Sequence, residues 1–329
     1  MIICRAPLRI SFFGGGTDYP IWYRENGGAV ISTTINKYNY LTIRKLPPFF
    51  DYKYRIRYFK QEYVSDPALI EHPVVRESIK FFGLDEGFEI GHTSDLPARS
   101  GLGSSSSFTV GLLHGLHAMQ SYMPTKRELA LQALHVEQEL IGEAVGSQDQ
   151  TAAAFGGFNL IRFSMAREID VDPIIMPQDR LSVLQDHLLL CFTGFARTAS
   201  EIADSQIKLT RSRHAELERM GELCSKALVL LINSNRDINE FGELLGEQWR
   251  IKRSMTDLVT SPEIDRIYAA GLRAGALGGK LLGAGGGGFL LFYAPPDRHQ
   301  EIKQTLGDKM FVPFRFESTG SKIVYYSHE

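Results

Sequence analysis

Residues 97–107 read PARSGLGSSSS: a proline, a glycine-spaced loop and four consecutive serines. Glycines at 101 and 103 let a backbone turn tightly and approach a ligand closely. The apolar period that follows, from Phe108, starts a helix at the serines. Free N–H groups and the positive end of a helix dipole attract phosphate, and hydroxyls add hydrogen bonds or an oxygen ligand for Mg2+. A capped helix would need only one serine. The lysine-bearing phosphate loop G-x-x-x-x-G-K-[ST] occurs nowhere in the chain.

Three further groupings could do chemistry. Gly283 to Gly288 matches G-x-G-x-x-G literally, but FLLFY follows it and reads as strand. The helix that a dinucleotide site needs is missing, so a hydride-transferring enzyme is disfavoured. The run reads instead as a glycine turn between KLL and FLLFY, either a plain hairpin loop or a second bare-backbone site. Glu137 shares a helix face with Ala130, Ala133, Leu134 and Ile141, and a carboxylate on an apolar stripe is costly unless paired or metal-bound. Asp149 sits among small residues in GSQDQTAAAFGG, which leaves room for a ligand; on local grounds it is equally a helix cap. In RAPLRISFFGGGTDYP, residues 5–20, Arg5 and Arg9 flank a strand-like run that ends on Gly14–Gly16, Thr17 and Asp18. A carboxylate there can accept two sugar hydroxyls, or serve as an ordinary turn aspartate.

The elements that would position these groups are legible in outline. MIICRAPLRISFF, GGAVISTTI, YNYLTIRKL, YKYRIRYFKQEYV and FEIGHTSDLP read as strands. Phe108, Leu112, Leu113, Leu116 and Met119 form the buried stripe of a first helix. Thr125 and Glu128 have capping-box spacing for a second, with Leu129, Ala133, Leu134, Leu140 and Ile141 on its apolar side. A polar stretch precedes the buried strand QDHLLLCFTGF, which places a domain boundary near residue 180 and domains at 1–180 and 181–329. Residues 199–258 read as mostly helical. Ser261-Pro262-Glu263 starts another helix, one more begins near Asp297, and strands MFVPFRFE and KIVYYS close the chain.

Composition narrows the function classes. The 329 residues are 43% hydrophobic and 22% charged, enough for two domains with a sizeable core. A net charge of −2 offers no global attraction for nucleic acid or an anionic membrane. Cys4, Cys191 and Cys224 are far apart, which speaks against a zinc site or disulfide framework. No run approaches a membrane span and the N-terminus lacks signal-peptide character, so a cytoplasmic protein is expected; a homo-oligomer stays open.

Taken in order, the motifs resemble those of the GHMP kinases. Arg5 to Tyr19, Pro97 to Ser107 and Lys280 to Phe289 stand where that family has its three motifs. RISFFGGGTDYP is most similar to the heptose 7-phosphate kinase branch, and more distantly to fucokinase domains. The resemblance implies a two-domain α+β fold, with an N-terminal domain of the ribosomal-protein type and a C-terminal ferredoxin-like α/β sandwich. It implies ATP and Mg2+, and transfer to the anomeric oxygen of a heptose 7-phosphate. The 1,7-bisphosphate product would feed nucleotide-activated heptose and surface glycan synthesis. The alternative is a sugar 1-kinase acting on a free hexose of the fucose or galactose type. A catalytically dead sugar sensor is disfavoured by the intact acidic residues and serine loop.

Roles carried over by matched motif are as follows. Pro97, Gly101, Leu102, Gly103 and Ser104 to Ser107 would hold the ATP phosphates. Ser105 and Glu137 would hold Mg2+. Asp149 would act as the catalytic carboxylate with Arg9 beside it, favouring its charged form. Leu8 stands where the family has glycine before that arginine. Gly15, Gly16, Thr17, Asp18, Gly285 and Gly286 would meet the sugar. A sugar phosphate also needs a cation; Arg197 in TGFARTASE is the first candidate, ahead of Lys280, Arg5 and Lys208, although Arg197 is also spaced to pair with Glu201.

Overall fold

The computed structural model describes residues 1–166, 168–194 and 199–327. The order is β1 (Ile2–Phe13), α1 (Pro20–Asn26), β2 (Gly28–Lys45), β3 (Tyr54–Arg57), β4 (Gln61–Val64), α2 (Pro73–Phe81) and β5 (Phe88–Ser94). Then come α3 (Ser104–Met119), α4 (Lys126–Leu134), α5 (Gln148–Phe155), β6 (Phe158–Phe163), β7 (Ile169–Pro173), α6 (Gln178–Asp186) and β8 (Leu188–Phe192). The rest is α7 (Ala199–Leu209), α8 (His214–Ile232), α9 (Glu240–Met255), α10 (Pro262–Arg273), β9 (Gly278–Leu281), β10 (Phe289–Tyr293), α11 (His299–Leu306), β11 (Phe316–Glu317) and β12 (Lys322–Tyr326).

Among the described residues, nine strands form one large sheet along the path β12-β1-β2-β5-β3-β4, with β6 and β11 branching from β2 and β7 pairing with β6. Strands β8-β10-β9 form a second, smaller sheet. The large sheet therefore takes its strands from both ends of the chain. The division at residue 180 remains our proposal for the rest.

Strand β1 sets up the site by simple alternation. Leu8, Ile10 and Phe12 are fully buried in the core between the sheets, against Leu223, Leu230 and Phe241 of α8 and α9. Each contributes roughly 1.5–3 kcal/mol by leaving water. Arg9 and Ser11 fall at the odd positions and open into a cavity. A second core packs α2, α3 and α4 against β2, β3 and β5 through Leu41, Ile43, Ile90, Leu112, Leu113 and Leu116.

Several expected elements come out differently. GGAVISTTI and YNYLTIRKL are one strand, β2, because Asn36 and Lys37 form a bulge opposite Pro7/Leu8 rather than a break. Asn36 donates to the Arg315 carbonyl at 2.9 Å and accepts from the Arg315 N–H at 2.7 Å, so the polar groups of the bulge are satisfied. YKYRIRYFKQEYV is a hairpin, β3 and β4, not one strand. MFVPFRFE shrinks to a bridge between Phe311 and Cys191 plus the two residues of β11, since Pro313 cannot donate to a ladder. Leu140 is 40% exposed. The segment His135–Ile141 after α4 is a π-helix, which turns the apolar face away from it. The capping box at Thr125/Glu128 and the Ser261 cap are both formed.

Two histidines tie these layers together in neutral form. His72 stacks on Phe108 with ring centroids 4.7 Å apart, and His114 on α3 meets the Ser321 hydroxyl at 2.9 Å. Burial lowers both pKa values to about 4. A depressed histidine pKa gives stability that is fully present above the unfolded value near 6.5 and is lost as pH falls through about 4. Thermal unfolding followed from pH 7 to pH 4 should show a falling Tm below about 6.5, worth roughly 3 kcal/mol per histidine. His114→Gln should flatten part of that slope; an unchanged slope would remove His114 from the account.

Candidate active site

The phosphate-type loop is held from two sides by bare backbone. Its helix, α3, begins at Ser104 with Gly103 in the left-handed region at φ 71°. From β1, the Arg9 N–H donates to the Leu102 carbonyl at 2.9 Å and the Arg9 guanidinium to the Gly101 carbonyl at 2.7 Å. From the second sheet, the glycine run after β9 lies directly on the loop. A Cβ on Gly101 would sit 2.4 Å from the Leu282 carbonyl oxygen, and one on Gly283 would sit 2.4 Å from the Gly101 Cα. The two glycine motifs are therefore mutually required: each clears backbone for the other. Gly101→Ala would both clash and force an alanine to φ 84°. It is expected to cost about 2–4 kcal/mol of stability and to raise KM for ATP more than KM for the sugar. Calorimetry and steady-state kinetics check this; a variant of normal stability would contradict the interlock.

This contact encloses a cavity of about 350 Å3. Gly101, Gly103 and Ser104 to Ser106 line one side of it. Arg9, Asp149, Asp18, Gly15, Gly16 and Gln148 line the floor, with Lys252, Lys280, Gly283 and Ala284 on the far wall. Arg9 grips Asp149 in a two-point pair, Nε to Oδ1 and Nη2 to Oδ2, both at 2.8 Å. The Arg9 side chain is 5% exposed and that of Asp149 is 25%, so the carboxylate keeps an open edge toward the cavity. Ser147, not Asp149, takes the cap position of α5, which leaves Asp149 in the first turn and free for this pair.

Asp18 is buried and locally held. Its Oδ1 accepts the Gly16 N–H at 2.8 Å and its Oδ2 the Gln148 N–H at 3.4 Å. Burial raises its pKa, offset in part by the Gly16 bond, and the charge of Asp149 pushes the same way as burial. It closes the glycine turn, as an ordinary turn aspartate does, and it also lines the cavity.

Glu137 lies one layer behind. The π-helical turn buries it completely, where it accepts from Ser106 Oγ at 2.9 Å, from Thr109 Oγ1 at 2.5 Å and from the Gln150 amide. Burial pushes its pKa up to about 7 against those three hydrogen bonds. Ser105 is exposed at the cavity, whereas Glu137 does not line it. A hydroxyl and a carboxylate on either side of Ser106 are hard oxygen donors. Mg2+ takes donors of this kind, but both Glu137 oxygens are already engaged by protein donors and the carboxylate lies behind the cavity wall, not on it.

Some expected residues are not brought to the cavity. Thr17 donates to the Gly14 and Ala29 carbonyls at 2.8 and 3.1 Å and accepts from the Ala29 N–H, so its hydroxyl is spent on backbone. Leu102 is in the core, Ser107 bonds the Ala6 carbonyl at 3.0 Å, and Pro97 is exposed outside the lining. Gly285 and Gly286 face Val259 instead of a sugar; Gly286 donates to its carbonyl at 2.9 Å. Arg5 sits over the Tyr38 ring at 4.3 Å and Lys208 pairs with Asp204 at 3.5 Å, both away from the cavity. Arg197 lies outside the described residues.

Other lining residues had no place in the sequence reading: Ser11, Tyr19, Gln148, Gln206 and above all Lys252. Lys252 is buried on α9, and burial lowers its pKa to about 8. A signal existed. Phe241, Leu245, Trp249, Lys252 and Met255 form one buried helical stripe, and a lysine on it is anomalous. Ser11 Oγ, Ser100 Oγ and Gln148 Oε1 are buried in the lining without a protein partner. Such atoms are expected to be met by a ligand or water.

Comparison with known proteins agrees with this geometry. The family description GHMP kinases N terminal domain matches residues 69–157, and GHMP kinases C terminal matches residues 222–312. A D-glycero-alpha-D-manno-heptose 7-phosphate kinase from Campylobacter jejuni is 29% identical over 97% of this chain and 97% of its own length. A solved D-glycero-D-manno-heptose 1-phosphate kinase from Bacteroides thetaiotaomicron superposes with a TM-score of 0.81 at 26% identity, covering 99% of this chain and 100% of that one. A Lactococcus lactis galactokinase complexed with galactose shares the fold, with a TM-score of 0.73 at 20% identity over 98% of this chain and 94% of its own.

Proposed function

Since the chain belongs to the GHMP kinase family, we propose that this ATP-dependent sugar kinase phosphorylates the anomeric hydroxyl of D-glycero-D-manno-heptose 7-phosphate. The observation that carries the reading is the Arg9–Asp149 pair, open on one edge to a cavity that begins at the glycine–serine loop.

The residues divide the work. The N–H groups at the start of α3, with Ser104 to Ser106, receive the ATP phosphates. Ser105 would offer its hydroxyl to Mg2+, and Glu137, behind Ser106, would reach the ion only by giving up one of its protein donors; the ion would supply charge neutralisation for the phosphates. Asp149 accepts or orients the proton of the sugar C1 hydroxyl. The anomeric oxygen then forms its bond to the γ-phosphorus as the bridging bond to the β-phosphate breaks, and ADP leaves. Phosphoryl transfer asks mainly for position and charge, so no covalent enzyme intermediate is needed. Asp18 and Gly16 receive sugar hydroxyls on the other side of Asp149. An ATP-consuming kinase of this kind belongs in the cytoplasm; among the described residues no helix is long and apolar enough to cross a membrane.

The names of the two heptose relatives differ on which end carries the first phosphate. Asp149 chemistry supports the 7-phosphate. Arg9 holds both oxygens of Asp149 in place while the carboxylate keeps an open edge to the cavity. That carboxylate suits an anomeric hydroxyl, which is more acidic than the primary hydroxyl at C7.

The test is ADP release with Mg2+-ATP against heptose 7-phosphate, heptose 1-phosphate, fucose and galactose. Turnover concentrated on the 7-phosphate is expected. Turnover of a free hexose alone would keep the kinase and discard the heptose assignment.

A further inference from the structure

Two buried ammonium groups reach the cavity wall, and among the described residues neither has a carboxylate at ion-pair distance. Lys280 Nζ is engaged by two backbone carbonyls, Ser11 and Phe12, each at 2.9 Å. Lys252 Nζ donates to one, the Gly283 carbonyl, which leaves two of its three N–H groups unassigned. A buried charge without a counter-charge is costly, and its pKa falls accordingly. The cost is relieved when an anion arrives.

The position of Lys252 says where that anion is. Gly283 is the residue stacked on Gly101 of the phosphate-type loop. Arg9 holds Gly101 from the other side by its carbonyl. The charges that act on Lys252 are Arg9, Asp18 and Asp149, the groups proposed to handle the acceptor. Lys252 thus stands between the end of the loop and the acceptor, on a helix from the opposite half of the chain. The loop itself carries no lysine.

Resting on the reading of this chain as a phosphotransferase, we propose that Lys252 is a catalytic cation that binds the phosphoryl group in transit from ATP to the acceptor. It supplies from α9 the charge that a lysine-bearing loop would supply from within. Charge that develops on the equatorial oxygens is met by Lys252 on one side and Arg9 on the other. Because Lys252 comes from the second sheet's side, the site is complete only when the two glycine motifs are in contact.

The test compares Lys252→Met and Lys252→Arg with the unsubstituted enzyme. The acceptor is whichever sugar phosphate the latter turns over best, set beside the corresponding unphosphorylated sugar. Lys252→Met should lower kcat about 10²–10³-fold with both acceptors, with KM values within a few-fold and Tm unchanged or higher. Lys252→Arg should recover at least a tenth of the lost turnover. A rise in KM for the phosphorylated acceptor alone would make Lys252 a ligand of the acceptor's own phosphate and overturn the proposal. So would loss of turnover that Lys252→Arg does not relieve. If the unsubstituted enzyme transfers phosphate to no sugar, the proposed function fails first; if it does and Lys252→Met matches it, only this inference fails.

Discussion

Asp149→Asn is expected to lower kcat by about 10²–10⁴-fold while ATP affinity stays within a few-fold of normal. Asparagine keeps the size and one acceptor oxygen. It loses the charge that pairs with Arg9 at 2.8 Å and the capacity to take a proton from the sugar. Asp149 is a quarter exposed and does not cap α5, and asparagine keeps an acceptor for Arg9. The fold should therefore survive, with some loss of stability from the buried guanidinium left without its counter-charge. Single-turnover kinetics with calorimetric ATP binding separates the two effects. Near-normal turnover would remove Asp149 from the chemistry.

The second large effect is expected at Arg9. Arg9→Met would leave three consequences at once: Asp149 without its counter-charge, the Gly101 carbonyl without its donor, and an apolar chain beside a charged cavity. Removing one partner of a largely buried pair costs about 3–5 kcal/mol, and the partial exposure of Asp149 places this case at the low end. Turnover should fall at least about 10²-fold through lost charge stabilisation. Arg9→Lys should restore part of the stability but little of the activity, because an ammonium cannot grip both carboxylate oxygens and Gly101 together. Equal recovery of both by lysine would show that only charge, not the fork geometry, matters at this position.

Much of this site was legible because it depends on local rules. The glycine–serine loop, the start of α3 and the strand that carries Arg9 follow from residue type and period. The two-strand reading of the second glycine run was also correct, as β9 and β10. Its purpose was not visible. Gly285 and Gly286 suggested a ligand, yet the run packs on Val259, Gly101 and Ser100, contacts that only the tertiary fold creates. The same holds for Thr17, whose hydroxyl was free to meet a sugar until Ala29 folded back onto it. Lys252 was the opposite case: its anomaly was local and plain, but a buried lysine on a helix has no assigned chemistry until Gly283 and the loop are brought to it. The placement of Glu137 behind Ser106 depends on a π-helical turn that no period of 3.6 predicts.

The central claim is that phosphate is transferred to the anomeric oxygen of a sugar that already carries a distal phosphate. Its most direct test is ³¹P NMR of the product formed from Mg2+-ATP and D-glycero-D-manno-heptose 7-phosphate. The account predicts a new phosphate resonance coupled to the anomeric proton, with the original 7-phosphate signal retained. A product phosphorylated at any other hydroxyl, or no product while a free hexose is turned over, would contradict it.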